Sequence, residues 1–366
     1  MSNRKKNVLH LIAGLGAGGA ERQLLELLKQ NKDHVLCSFT NSGVYDKNIK
    51  SLGIKFIELK VKYPALIFFK IFKIIRIIKN NNIKIIHAWM YNSCLIAILI
   101  RILIGKKKIN ILWGIRCSNM NSKFYSFKFR VNIILCRLFS VLADKVVYNS
   151  FAGLSYHNSI GFNSKNTSVI QNGVDEKKFM FFPNARKQLK KKYKISNDEK
   201  ILLCVARVDP MKGHVSLLKA FSSVLEKNNK LKLILIGKDT EKLEKNKNVI
   251  ALGMKNDIEI YYSLADFIIL PSIFGEGFSN VLVEGMLSKL FPVASDIGDN
   301  KLIIGDTGLI FSCNDHTSMT NTLTKIAKMN KNDIEINSKK AYLRAKSKYT
   351  VKKMLNAYKK TYEVLT

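Results

Sequence analysis

Glu276 and Glu284 stand eight positions apart in the run ADFIILPSIFGEGFSNVLVEGMLS at 265–288. Two carboxylates so spaced can accept hydrogen bonds from hydroxyls at two places along one extended ligand. Residues 265–270 read as a buried strand, stopped by Pro271, which has no N–H for a ladder. Gly275 and Gly277 then allow a sharp turn and a close approach of backbone to ligand. Ser279 or Asn280 is placed to cap the helix that follows, with Glu284 about two turns inside it. Free N–H groups and the positive dipole end at such a helix start suit phosphate or sugar oxygens. The competing reading is a pair of ordinary solvated glutamates.

Arg207 and Lys212, five apart in ARVDPMKG, lie on the turn leaving the apolar run CVARV. Two cations there could neutralise a diphosphate as it becomes a leaving group, a form of electrostatic catalysis. Between that turn and the glutamate loop, GMKNDIEIYYSLAD offers a glycine-started loop able to lie over a base. Nearer the start, Gly14, Gly16 and Gly19 satisfy Gly-x-Gly-x-x-Gly directly after the strand-like NVLHLIA, the context of a dinucleotide fold. A nicotinamide or flavin site also wants an acid at the end of the next strand, and that strand ends in Phe39, Thr40 and Asn41. The glycine loop is therefore read as a close-approach loop for a phosphate or an acceptor.

Positioning these groups takes a scaffold. HVLCSF, KFIEL, IKIIHAW, INILWGIR, KVVYNS and TSVIQNG alternate with helical patterns. After a linker-like segment beginning at Glu176 the alternation repeats in KILLCVARV, LKLILIG, NVIALG, ADFIILP, FPVASD and GLIFS. Such alternation implies an α/β chain of two parallel sheets with helices on both faces. The expected domains are 1–175 and 176–349, with a final helix at 350–366 packing back towards the first. Ligands of such folds bind at the carboxyl ends of the strands, in a cleft between the halves.

The 366 residues carry 61 Lys or Arg against 27 Asp or Glu, a formal charge of +34. Between Glu58 and Asp144 no acidic residue occurs, whereas sixteen basic ones do. Within that stretch, residues 63–79 set Lys70, Lys73, Arg76 and Lys79 among Phe68, Phe69, Phe72 and isoleucines, a basic apolar helix expected to lie in a membrane interface. Residues 93–105 are apolar except for Arg101, too short to span a bilayer, and stay open between a buried and an interfacial helix. The charge fits an anionic membrane surface or nucleic acid. Aromatics clustered with Ile and Leu, and the lack of a recognition motif, count against nucleic acid. Six scattered cysteines without CxxC argue against disulfides and structural zinc, and the start SNRKKN lacks an export signal, so the cytoplasm is the expected compartment.

GGAER, HAWMYNS, WGIRCSN, VIQNGVD, VARVDPMKG, the E-x7-E unit GEGFSNVLVE and SDIGDN follow one another along the whole chain. In this order and spacing the set closely resembles the family 4 glycosyltransferases of the two-Rossmann GT-B architecture, whose two domains face a central cleft. The subgroup it is most similar to extends lipid-linked glycans for bacterial surface polysaccharides at the inner face of the membrane. The resemblance implies that Arg207 and Lys212 bind the donor diphosphate. It implies that Glu276 holds donor-sugar hydroxyls and that the backbone of Gly277, Phe278, Ser279 and Asn280 touches sugar and phosphate. Glu284 would take the ribose hydroxyls, and Gly16, Gly18 and Gly19 would approach donor phosphates and acceptor.

Family members often carry a histidine where this chain has Arg116, which sets aside a histidine-centred acid/base role; His87, at another strand end, is a candidate for lining the cleft. Also implied are retention of anomeric configuration and a UDP-sugar donor. A polyprenyl-diphosphate-linked glycan would be the acceptor, and the protein would be attached peripherally to an anionic membrane surface. No cofactor is implied, because the nucleotide sugar is a substrate, and no metal, in keeping with the missing DxD. A sugar-nucleotide epimerase shares the architecture and is the competing enzymatic reading; a basic nucleic-acid-binding protein is the competing non-enzymatic one. A glycoside hydrolase needs two carboxylates on opposite faces of one bond, which a sugar-holding and a ribose-holding glutamate do not supply.

Overall fold

Runs rich in Ile, Val and Leu fold as strands buried on both faces, as strands of a covered parallel sheet must be. The computed structural model describes residues 8–366 except 17, 41–42, 63–65, 120–125, 227–229 and 244–245, with the backbone alone of residue 107; elements and contacts are those of the described residues. The chain divides into two compact units, Met1–Asn172 with Lys352–Thr366, and Gly173–Val351.

The first unit runs β1 (Val8–Ile12), α1 (Gly19–Gln30), β2 (Val35–Ser38), α2 (Asp46–Ser51), β3 (Lys55–Glu58), α3 (Ile67–Asn80), β4 (Ile85–Trp89), α4 (Met90–Ile104), β5 (Asn110–Ile115), α5 (Phe127–Phe139), β6 (Lys145–Tyr148), α6 (Phe151–Ser159) and β7 (Thr167–Val169). Its strands are parallel in the order β3-β2-β1-β4-β5-β6-β7. The winding reverses between β1 and β4, and such a reversal opens a crevice at the carboxyl ends.

The second unit runs α7 (Pro183–Lys192), β8 (Lys200–Val205), α8 (His214–Leu225), β9 (Leu231–Ile236), β10 (Val249–Ala251), α9 (Ile258–Tyr262), β11 (Phe267–Leu270), α10 (Asn280–Leu287), β12 (Phe291–Ser295), α11 (Asn300–Ile304), β13 (Leu309–Phe311), α12 (His316–Lys328) and α13 (Lys331–Lys348). Its parallel order is β10-β9-β8-β11-β12-β13, with the reversal between β8 and β11. A last helix, α14 (Val351–Val364), buries Met354, Tyr358 and Tyr362 in the core that holds Leu24, Leu28 and Trp89 of the first unit.

Side chains alternate across the first sheet. Leu9 and Leu11 join the core beneath α3, α4 and α5, while Val8 and Ile12 join the one beneath α1 and α14. In α3, Ile67, Ile71, Ile74 and Ile78 fall on one helical stripe and are buried, at about 2 kcal/mol apiece. The opposite side exposes Phe68, Phe69 and Phe72 beside Lys70, Lys73, Arg76 and Lys79.

The open reading of 93–105 resolves as a helix largely packed into the protein, since most of α4 is buried. Arg101 inside it meets Asp144 through two bonds of 2.6 and 3.0 Å, so its charge is paired. No helix among the described residues is long and apolar enough to cross a membrane.

Candidate active site

In the second unit the winding reverses between β8 and β11, so the loops leaving these two strands lie side by side. The Ile273 N–H donates to the Met211 carbonyl at 2.8 Å and ties one loop to the other. Gly213, at φ +66°, sits so near the Pro271 carbonyl that any Cβ would collide with it, which explains a glycine directly after Lys212. The short turn Pro210–Lys212 is capped by Asp209, whose carboxylate accepts from the Met211 N–H at 2.9 Å.

That turn delivers Lys212 Nζ to Glu276 Oε1. Ser272 Oγ donates to the same oxygen at 2.7 Å, and Ser279 Oγ lies 3.5 Å from Glu276 Oε2. Glu276 is only 8% exposed. Burial pushes its carboxyl up, but the Lys212 ammonium and the hydrogen bonds from Lys212 and Ser272 outweigh it and hold the group below the ordinary carboxylate range. Glu284, 2% exposed, accepts from the Tyr262 hydroxyl at 2.6 Å. The carboxylates are thus two separately supported acceptors in one unit.

Two expectations change. α10 begins at Asn280, so Glu284 lies just over one turn inside it, not two. Ser279 occupies the cap position without capping: its hydroxyl donates to Asn300 Oδ1 at 2.6 Å, and Asn300 in turn donates to the Ser295 carbonyl at 3.1 Å. Arg207 does not join Lys212 on Glu276; its guanidinium, 58% exposed, turns to Asp209 Oδ2 at 3.1 and 3.2 Å. The Phe278 ring is buried edge-on to Tyr349, which leaves only its backbone for a ligand. The Gly277 carbonyl accepts from the Asp299 N–H at 3.0 Å, so that part of the loop is braced by the SDIGDN turn. Sequence reasoning missed Ser272, Asn300 and Tyr262. Their only signal was a polar residue inside an otherwise apolar loop or helix.

In the first unit the glycine loop leads into α1 with Gly18 at the cap position and no side-chain cap. Space beside Gly16 is open, whereas a side chain at Gly18 would collide with the carboxylate of Glu21. Burial pushes Glu21 up, opposed by a bond from its own N–H. A carboxylate already occupies this helix start, so a phosphate reaching Gly18 and Gly19 must displace or protonate Glu21.

His87 is corrected outright. It has no exposed surface, its Nδ1 meets the Tyr362 hydroxyl at 2.8 Å, and its ring stacks on Trp89 at 4.5 Å. It is a core residue beneath α14. Arg116 lies 4.7 Å over the Trp89 ring, donates to Asn172 Oδ1 at 2.9 Å and bonds the Tyr358 hydroxyl, so it fastens α14 to the strand ends.

Two doubly wound parallel sheets in two units define the GT-B class. The solved structure of Anabaena Alr3699/HepE with UDP and glucose shares this fold, with a TM-score of 0.84 over 98% of this chain and all of that one at 18% identity. Residues 17–178 match the description Glycosyltransferase Family 4 and residues 185–343 match Glycosyl transferases group 1. The chain belongs to the family 4 glycosyltransferases and is a glycosyltransferase. It is 27% identical, over 84% of its length and 86% of the relative's, to the Campylobacter jejuni N-acetylgalactosamine-N,N'-diacetylbacillosaminyl-diphospho-undecaprenol 4-alpha-N-acetylgalactosaminyltransferase. It is 24% identical, over 80% of its length and 82% of the relative's, to the Staphylococcus aureus capsular polysaccharide biosynthesis glycosyltransferase CapH.

Proposed function

We propose that this enzyme moves a sugar, with retention, from a UDP-sugar to a polyprenyl-diphosphate-linked glycan in surface-polysaccharide synthesis, working at the inner face of the plasma membrane. The observation that carries the reading is the buried Lys212–Glu276 pair, supported by Ser272, at the reversal of the donor-side sheet. A diphosphate entering there competes with Glu276 for Lys212 and frees carboxylate oxygens to accept sugar hydroxyls. Glu284, held by Tyr262, takes the ribose hydroxyls. Arg207, exposed on the same turn as Lys212, adds a second cation to the diphosphate.

The anomeric carbon–diphosphate bond breaks while the acceptor oxygen bonds the same face, and the acceptor proton passes to the departing diphosphate. Lys212 and Arg207 carry the leaving-group charge that a metal carries in other transferases, so transfer should persist in EDTA. The Campylobacter and Staphylococcus relatives, by their names, act on a diphospho-undecaprenol glycan and in capsule synthesis, which supports the acceptor class. The Anabaena protein holds UDP on the same fold, which supports the donor class.

The test is incubation with radiolabelled UDP-sugars and polyprenyl-diphosphate glycans. Label moving to the organic phase supports the reading; epimerised nucleotide sugar formed without acceptor overturns it. Undiminished transfer by Arg207→Ala or Glu276→Ala would overturn the site assignment.

A further inference from the structure

The first unit also holds a cavity of about 1230 Å³ at the amino ends of β4 and β5, the edge of the sheet opposite the one where substrates of doubly wound folds bind. Ile75 and Ile78 of α3 and Leu103 and Ile104 of α4 form its apolar wall. Lys79, Lys84 and Lys108 rim it, all three exposed, and no Asp or Glu side chain lines it. Helix polarity accounts for a cation at Lys79, in the last turn of α3, but not for Lys84 and Lys108, which lead into strands. None of the three has a carboxylate partner among the described side chains.

We infer that this cavity binds one anionic phospholipid of the membrane, its phosphate among Lys79, Lys84 and Lys108 and part of one acyl chain against the isoleucines and leucines. Leu365 and Thr366 close the remaining side. An inorganic anion has no use for the apolar wall, and a neutral lipid has none for three ammonium groups without an Asp or Glu side chain beside them. α3 joins this site to the membrane face, since the same helix exposes Phe68, Phe69 and Phe72. The inference rests on the membrane attachment proposed above and is independent of the transfer chemistry.

The test uses the full chain and monomeric dihexanoyl phosphatidylglycerol, with dihexanoyl phosphatidylcholine and inorganic phosphate as comparisons, by titration calorimetry. We expect saturable one-to-one binding of the glycerol lipid and about tenfold weaker binding of the choline lipid. The variant Lys84→Gln/Lys108→Gln should lose at least about tenfold in affinity while its transfer to a detergent-held acceptor is unchanged. Phe69→Ser/Phe72→Ser should keep the monomer affinity and lose binding to phosphatidylglycerol vesicles. Absent saturation, equal binding of the two lipids, full competition by phosphate at matching concentrations, or an unaltered Lys84→Gln/Lys108→Gln variant would each overturn the site. Failure of vesicle binding alone removes the membrane reading, and failure of label transfer alone removes the enzymatic one.

Discussion

The two units wind alike and treat charge in opposite ways. In the second, the crevice at the reversal holds a cation and a carboxylate buried against each other, Lys212 and Glu276, and a second carboxylate, Glu284, held by a tyrosine. In the first, the sheet face beneath α14 is filled by His10, His34, His87, Trp89, Tyr358 and Tyr362, with Arg116 over Trp89 and Tyr358. Between Glu58 and Asp144 its surface carries cations and no acid. The same winding carries both, and the side chains placed on it decide where a buried charge can be held.

Breaking the buried pair should give the largest effect. Lys212→Met leaves Glu276 charged without its partner, so the second unit should lose about 2–4 kcal/mol and the Glu276 pKa should rise. If Lys212 holds the leaving diphosphate, transfer should fall about 10²–10³-fold in kcat/KM. The double variant Lys212→Met/Glu276→Gln separates the two roles: denaturant melts should show stability largely restored while transfer stays lost. Recovery of transfer in the double variant would place the chemistry elsewhere.

Acid sharpens the contrast from the other side. His10, His34 and His87 are neutral by burial, with their mutual repulsion or Arg116 adding to it for His10 and His87; His157 is likewise lowered by burial. The unfolded chain protonates these histidines near pH 6.5, the folded chain only lower, about 4 for His34 and His157. Stability is therefore full above pH 6.5 and falls as pH drops through that window, on the order of 1–3 kcal/mol each for His34 and His157. The second unit has one buried histidine, His214, so hydrogen exchange at pH 5 should show the first unit opening before it. Equal loss of protection in both would contradict the histidine account.

How much of this the sequence carried follows the range of the interactions. Strands, the two doubly wound halves and the family could be read locally, because period and motif order are properties of short runs. Glu276 stood out as a candidate from its glycine loop, but its partner Lys212 lies 64 residues away and its support by Ser272 depends on the loop's curl. His87 misled because what covers it, Tyr362, arrives 275 residues later with α14. Ser279 has the residue type of a cap, and tertiary competition from Asn300 took its hydroxyl.

Tyr262→Phe asks whether the second carboxylate needs its support. Removing one charge-assisted bond to a buried carboxylate should cost about 1–2 kcal/mol. If Glu284 holds the ribose, the donor KM should rise up to about tenfold with kcat little changed, and a matching fall in kcat would move Glu284 closer to the chemistry.

The smallest effect on folding belongs to the exposed layer, and its smallness is what makes it informative. Phe69 and Phe72 are 79% and 72% exposed on α3, so Phe69→Ser/Phe72→Ser removes almost no buried contact and stability should stay within about 0.5 kcal/mol. Aromatic rings left in water beside four cations are nevertheless a cost to solubility that burial in a lipid interface removes. Sedimentation with phosphatidylglycerol vesicles should therefore fall sharply in this variant, while neutralising Lys70, Lys73, Arg76 and Lys79 should weaken it by roughly 1 kcal/mol per charge and flatten its salt dependence. Vesicle binding that survives both changes would leave the acid-free stretch without a membrane role, and the contrast between the units would then rest on their buried side chains alone.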